Sequence, residues 1–248
     1  MRRCGEIQRA MPYRNERRRI VRAPVGGGNR PPGLQARAEK TLEALRRRYP
    51  CPSGSLAAST PWELLAATML AAQCTDARVN LVTPDFFARW PDPEALARAS
   101  VAEVEDCIRS TGFFRNKARN LVAAALRVRD VFQGRTPRNL ADLVSLPGVG
   151  RKTASVVLFG AFGLAEGLAV DTHVGRIAFR LGLASSRDPV RTERELMDLF
   201  PREEWGNLNH RLVLFGREIC RARKPACSAC EMKAFCRHGK DRLQAEPS

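Results

Sequence analysis

"LPGVGRKTASVV", residues 146–157, decides how this chain is read. Two glycines stand two apart behind a proline, and Arg151 and Lys152 open an apolar run. The spacing predicts a helix, the turn Leu146-Pro147-Gly148-Val149-Gly150, and a second helix from Arg151 to about Phe162. Glycine reaches positive φ and lets a backbone pass close to a ligand. The first N–H groups of the second helix point into the turn, and such a helix end attracts anions. A DNA phosphate is a natural guest. A nucleotide P-loop is excluded twice over, because Arg151 follows Gly150 and Ser145 stands where that motif needs its first glycine. A dinucleotide fingerprint fails at Thr153, where the third glycine belongs. The remaining competitor is a plain helical hairpin closed by a glycine cap.

Lys152 falls in the first turn of the second helix, where a cation opposes the helix dipole. It has two readings. One is a solvated or phosphate-contacting lysine. The other is a nucleophile, whose amine is kept neutral by desolvation and by the positive helix end.

Away from this stretch the pattern is helical nearly everywhere and the expected architecture is all-α. Leu34, Ala38, Leu42, Leu45 and Tyr49 recur at helical spacing. "TPWE" at 60–63 reads as a capping box with Pro61 in the first helical position, opening a helix to about Gln73. "SVAE" at 100–103 is a second box. Further helices are expected at Phe114–Phe132, near Asn139–Val144, and at Thr172–Leu181, Val190–Phe200 and Asn207–Cys220. No strand alternation and no fixed-period repeat is found.

The chain has 248 residues, 44% of them apolar, and a formal net charge of +16. That size suits one large domain or two small ones, and that charge calls for a polyanionic partner, either nucleic acid or an anionic membrane surface. The longest apolar region, Ala154 to Val170, holds three glycines and Glu166 and is too short to span a membrane. The basic N-terminus lacks the apolar core of a secretory signal, so the expectation is an intracellular, DNA-associated protein, in cytoplasm or nucleoid if bacterial. Residues 1–33 carry nine arginines against two glutamates and read as a disordered basic arm, free to hold DNA non-specifically or to be a solvated tail.

In "AVDTHVGRIAFRL", 169–181, Asp171 precedes an amphipathic helix. It reads as an ordinary N-cap or as a carboxylate that stabilises a developing cation. Neighbouring His173 has no Ser or Cys partner motif and reads as a local hydrogen-bonding residue. Eight cysteines are present. Cys4, Cys51, Cys74 and Cys107 are scattered and read as free thiols. Cys220, Cys227, Cys230 and Cys236 follow C-x6-C-x2-C-x5-C, too tight a group to read as two disulfides. Four thiolates suit zinc or an iron–sulfur cluster, and having only one C-x2-C knuckle tilts the reading toward [4Fe–4S]. Arg221, Arg223 and Lys224 lie between the first two ligands, on a loop that such a cluster would staple.

Taken in order, "LPGVGRKTA", "VDTH" and the four-cysteine spacing resemble the endonuclease III family of helix-hairpin-helix DNA glycosylases, over about Leu34 to Arg237. The resemblance implies two all-α domains with DNA bound across the cleft between them. One would be a helical barrel at 54–164. The other, a cluster domain, would join 34–53 to 165–240, with a tail at 241–248. It implies a bifunctional glycosylase and abasic-site lyase of base excision repair, monomeric, acting on duplex DNA bearing oxidised pyrimidines or abasic sites. Lys152 would be the nucleophile and Asp171 the catalytic carboxylate. Gln73, in "AAQCTD", would fill the gap left by a flipped base, and Phe113, in "STGFFRNKA", would wedge into the stack. Leu146, Gly148, Gly150, Arg151, Thr172, His173, Arg221, Arg223 and Lys224 would contact DNA, and the four cysteines would hold [4Fe–4S]. Ala71 and Val144 depart from the family, which often carries serine at the first position and sometimes a carboxylate at the second. An adenine-mismatch glycosylase is the alternative within the superfamily, and Lys152, which those relatives generally lack, argues against it. A non-catalytic DNA-binding module is the alternative outside it.

Overall fold

The computed structural model describes residues 33–239. The expectations for the basic arm and the C-terminal tail therefore lie outside the described residues. Within them the chain is helical, with no strand. The helices are α1 (Leu34–Arg48), α2 (Pro61–Leu70), α3 (Asp76–Arg89), α4 (Pro93–Ala97), α5 (Val101–Ile108), α6 (Phe114–Phe132), α7 (Leu140–Val144), α8 (Arg151–Phe162), α9 (Thr172–Leu181), α10 (Pro189–Leu199) and α11 (Trp205–Glu218). Single 3-10 turns occupy Arg109–Thr111 and Arg202–Glu204. No helix among the described residues is long and apolar enough to cross a membrane.

The described residues divide into two compact units, one of residues 54–166 and one joining 33–53 to 167–239. In the first, α4 and α5 pack on α6, and α2 packs on α8. Its core runs from Trp62, Leu65 and Leu70 through Phe86, Leu96 and Ile108 to Leu121, Leu143 and Leu158. Burying each large side chain contributes about 1.5–3 kcal/mol. The helix starts are set locally. Thr60 accepts a hydrogen bond from Glu63 N, but the carboxylate of Glu63 accepts from Ser59 N rather than closing a box on Thr60. Ser100 and Glu103 do form the reciprocal box. Helix α2 stops at Leu70, short of Gln73, because the chain turns there and Gln73 sits at φ 53°.

The second unit packs α1, α9, α10 and α11 around Leu45, Ile177, Leu181, Leu196, Leu212 and Phe215. Its two sequence-distant pieces are tied by charge. Glu204 accepts from Arg211 at 2.6 Å and Arg46 at 2.8 Å, and Arg211 also donates to Tyr49 O at 3.1 Å. Burial would raise the Glu204 carboxyl, but the two guanidiniums outweigh it and hold the group below its ordinary value. Cys74 and Cys107 are free thiols. Cys51 is not; it is disulfide-bonded. Scatter along the sequence neither requires nor forbids a bridge, which needs only Cα atoms about 4.4–6.8 Å apart.

Candidate active site and nucleic-acid interface

In the unit of residues 54–166 the hairpin lies between α7 and α8. Asn139 caps α7 through Asp142 N, and Val149 N donates to Leu146 O at 3.1 Å to close the turn. Gly148 has φ 77°, and a Cβ there would lie 2.7 Å from Cβ of Asn120 on α6. Both conformation and close approach therefore require glycine at 148. Gly150 has an extended backbone, and no side chain caps α8. Gly148, Gly150, Arg151 and Lys152 are all exposed, and Val149 is buried between the two glycines. Leu146 is 2% exposed and packs inward, so its main chain is all it can offer DNA. Lys152 points outward because Ala154, Val157 and Leu158 take the buried face of α8. The desolvation that the nucleophile reading requires is thus not supplied by the packing of the chain itself.

Gln73 and Phe113 belong to the same unit, each in the left-handed region, at φ 53° and 49°. Gln73 is exposed, and Phe113 is 65% exposed. Arg109 and Arg115 flank the ring of the next residue, Phe114, at 5.5 and 5.2 Å. Phe113 is thus the aromatic residue left facing outward.

In the other unit Asp171 caps α9. Its Oδ1 accepts from His173 N and from Val174 N, each at 2.8 Å. The N-cap reading is therefore realised, and Oδ2 takes no part in the cap. Asn209 of α11 donates to Ala169 O at 2.6 Å and fixes the approach to Asp171. Thr172 is exposed. His173 is half-buried, with Nδ1 3.1 Å from an Arg176 nitrogen. Burial lowers its pKa most; Asp171 opposes that shift, while Arg176 and Arg217 add to it. The ring lies so close to Gly216 that a Cβ there would stand 2.5 Å from Nδ1.

Arg176 and Arg180 join α9 to the cysteine segment. Arg176 donates to the carbonyls of Gly216 and Cys220 at 3.3 and 3.0 Å. Arg180 donates to the carbonyls of Arg221 and Ala222 at 2.7 and 3.0 Å, and to Cys220 Sγ at 3.4 Å. Arg221, Arg223 and Lys224 are exposed on the loop so held. Cys220, Cys227, Cys230 and Cys236 line one cavity with Ile177, Leu181 and Phe215. Among the described residues no three Cys, His, Asp or Glu side chains converge on a single-ion site. N–H donors reach the thiols: Gly239 N lies 3.3 Å from Cys236 Sγ. Burial pushes the Cys230 thiol up to about 11 and raises that of Cys236. Asn120, Arg176, Asn209 and Gly216 carry no local sequence signal, because each acts on a partner far along the chain. Only the separations of about 40 residues seen in the structure reveal the last three.

The comparisons agree with this hairpin. A family model described as HhH-GPD superfamily base excision DNA repair protein matches residues 66–202. Endonuclease III of Synechocystis sp. is 48% identical over 200 residues, covering 81% of this chain and 91% of that protein. Endonuclease III of Bacillus subtilis is 41% identical, covering 82% and 93%. A solved non-covalent endonuclease III–DNA complex matches with a TM-score of 0.80 at 40% identity, over 85% of this chain and 98% of that one. A trapped endonuclease III–DNA covalent intermediate matches with the same score and identity. The fold and hairpin define a DNA-binding protein of base excision repair. The chain belongs to the endonuclease III family, and is accordingly an enzyme of the DNA glycosylase and abasic-site lyase class.

Proposed function

We propose that this enzyme removes oxidised pyrimidines from duplex DNA and then cuts the strand 3′ to the lesion through a Schiff base on Lys152. The observation that carries the reading is an exposed lysine in the first turn of a helix that no side chain caps, behind a glycine turn. Backbone phosphates fit that helix end, and Arg221, Arg223 and Lys224 offer further phosphate contacts.

A base inside a duplex cannot be reached at its sugar, so the nucleotide flips out, and an oxidised pyrimidine flips at lower cost because it stacks or pairs less well. Gln73 and Phe113 take the vacated space. Bound DNA excludes water from Lys152 and supplies the desolvation that the free chain lacks. Neutral Nζ then bonds to C1′ as the glycosidic bond breaks, and the electron pair leaves with the base, which takes a proton. Asp171 balances the positive charge that develops on the sugar. Ring opening gives the Schiff base; loss of a C2′ proton then expels the 3′ phosphate, and water releases the lysine.

The cysteine cavity fits a [4Fe–4S] cluster. All four cysteines line it, and N–H donors from Arg180 and Gly239 reach two of the thiols, Cys220 Sγ and Cys236 Sγ. A bound cluster would supply thiolate ligation and order the basic loop, and its four cysteine ligands leave no open position for substrate. Purified protein should carry about four irons per chain; stoichiometric zinc would refute the assignment. The functional reading is tested with duplexes each bearing one lesion, scored separately for base release and for nicking. Oxidised pyrimidines and abasic sites should be processed. Nicking of no abasic duplex above background would leave only a binding module.

A further inference from the structure

Lys117 of α6 is buried, with 7% of its surface exposed. Its Nζ donates to Leu70 O at 2.8 Å and to Thr111 O at 2.7 Å. Among the described residues no carboxylate pairs with it. Burial draws its ammonium below lysine's ordinary value, although Cys74 opposes this. An unpaired buried cation is costly unless fixed dipoles replace its water. Here they do. Leu70 is the last residue of α2 and Thr111 the last of the Arg109–Thr111 turn, so two helical C-termini point their carbonyls at one ammonium.

Each carbonyl leads directly into a turn with an outward-facing side chain. Three residues beyond Leu70 stands Gln73, and two beyond Thr111 stands Phe113. Both hold the left-handed backbone that non-glycine residues seldom adopt, and both are exposed. Such strain persists only where the surroundings over-determine it. Local bonds support each turn separately: Cys74 N donates to Ala71 O, and Lys117 N donates to Phe113 O. The Lys117 ammonium bridges the roots of the two turns.

We propose that Lys117 is a positioning residue for base extrusion, holding the Gln73 and Phe113 turns at a fixed separation so that both side chains enter the duplex together. This rests on the reading of Gln73 and Phe113 as the DNA-entering residues. Lys117 touches no DNA. It acts by spacing two groups that do.

The test uses the iron-loaded full chain and two duplexes, one intact and one with a tetrahydrofuran abasic analogue opposite 2-aminopurine. Lys117→Met keeps the aliphatic stem and removes the donors. It should bind intact duplex with native affinity and salt slope. Its preference for the abasic duplex should drop about tenfold, and the 2-aminopurine fluorescence rise should be lost. In a Gln73→Ala, Phe113→Ala background it should cost no further preference. Equal loss of affinity for both duplexes, or a further loss in that background, would mean a structural role only. Should the methionine variant not fold, Lys117→Arg serves, because a planar fork cannot reproduce a point donor between two carbonyls. It should lower the abasic preference at native melting temperature, and a native preference overturns the proposal. Gln73→Ala and Phe113→Ala tested singly separate the two claims. If they leave preference and fluorescence native, the reading of those side chains fails. If they lower both while Lys117→Met does not, the positioning role alone fails.

Discussion

Helices α8 and α9 begin in opposite ways, and the site residues of interest sit at those two beginnings. Gly150 starts α8 and brings no side chain to its N–H groups. Asp171 starts α9 and satisfies two of them at 2.8 Å. One helix end is left for an anion from outside; the other carries its anion permanently. Lys152 stands in the first turn of α8, beside those open N–H groups. A carboxylate at the start of α9 is stabilised by that helix. Helix capping and site chemistry draw on the same N–H donors, so exchanging the caps should exchange the properties.

The largest effect should come from removing charge while keeping the cap. Asn caps helices as well as Asp does. Asp171→Asn should therefore leave the melting temperature almost unchanged while base release falls about 10²–10³-fold. Asp171→Ala should lose the activity and also about 1 kcal/mol of stability. Equal stability losses in both variants, or an active Asp171→Asn, would break the distinction between capping and chemistry.

A smaller effect is expected from giving α8 the cap it lacks. Gly150 has an extended backbone, and a Cβ there meets nothing within 4 Å. Gly150→Ser should raise stability by about a few tenths of a kcal/mol. It should also weaken DNA binding several-fold and reduce the salt slope by about one unit. A stabilised variant with native affinity would show that phosphate does not use this helix end.

The smallest effect is electrostatic. His173 has a pKa held below 6.5, first by burial and then by Arg176 and Arg217 against the pull of Asp171. Its contribution is present above the unfolded value and is lost as pH falls through the folded one. Stability measured by denaturant should therefore decline modestly as pH drops below 6.5, the ordinary histidine value. His173→Gln should flatten that part of the profile. An unchanged slope in the variant would assign the decline elsewhere.

Much of this is legible in the sequence. The limits of α6, α8 and α9 follow from periodicity, Gly134, the glycine turn and Asp171. Helices α3 and α4, at Asp76–Arg89 and Pro93–Ala97, escape a reading by pattern. Pro84 inside α3 argues against a helix, but burial of Val79, Val82 and Phe86 outweighs that local signal. Helix α4 is five residues long, too short for a period to show. The hairpin, the cysteine spacing and the positions of Lys152 and Asp171 can be read directly. The inward packing of Leu146 and the exposure of Lys152 cannot, since both depend on which face of the chain the core selects. Lys117 is invisible for another reason: Leu70 O lies 47 residues away from it in sequence.

The proposed chemistry turns on the Lys152 amine forming the bond to deoxyribose. Borohydride added during reaction with a lesion-bearing duplex measures this directly, by reducing any Schiff base to a stable enzyme–DNA adduct. The native chain should give a covalent adduct and Lys152→Ala none. Undiminished trapping by Lys152→Ala, or no adduct with an active native enzyme, would contradict it.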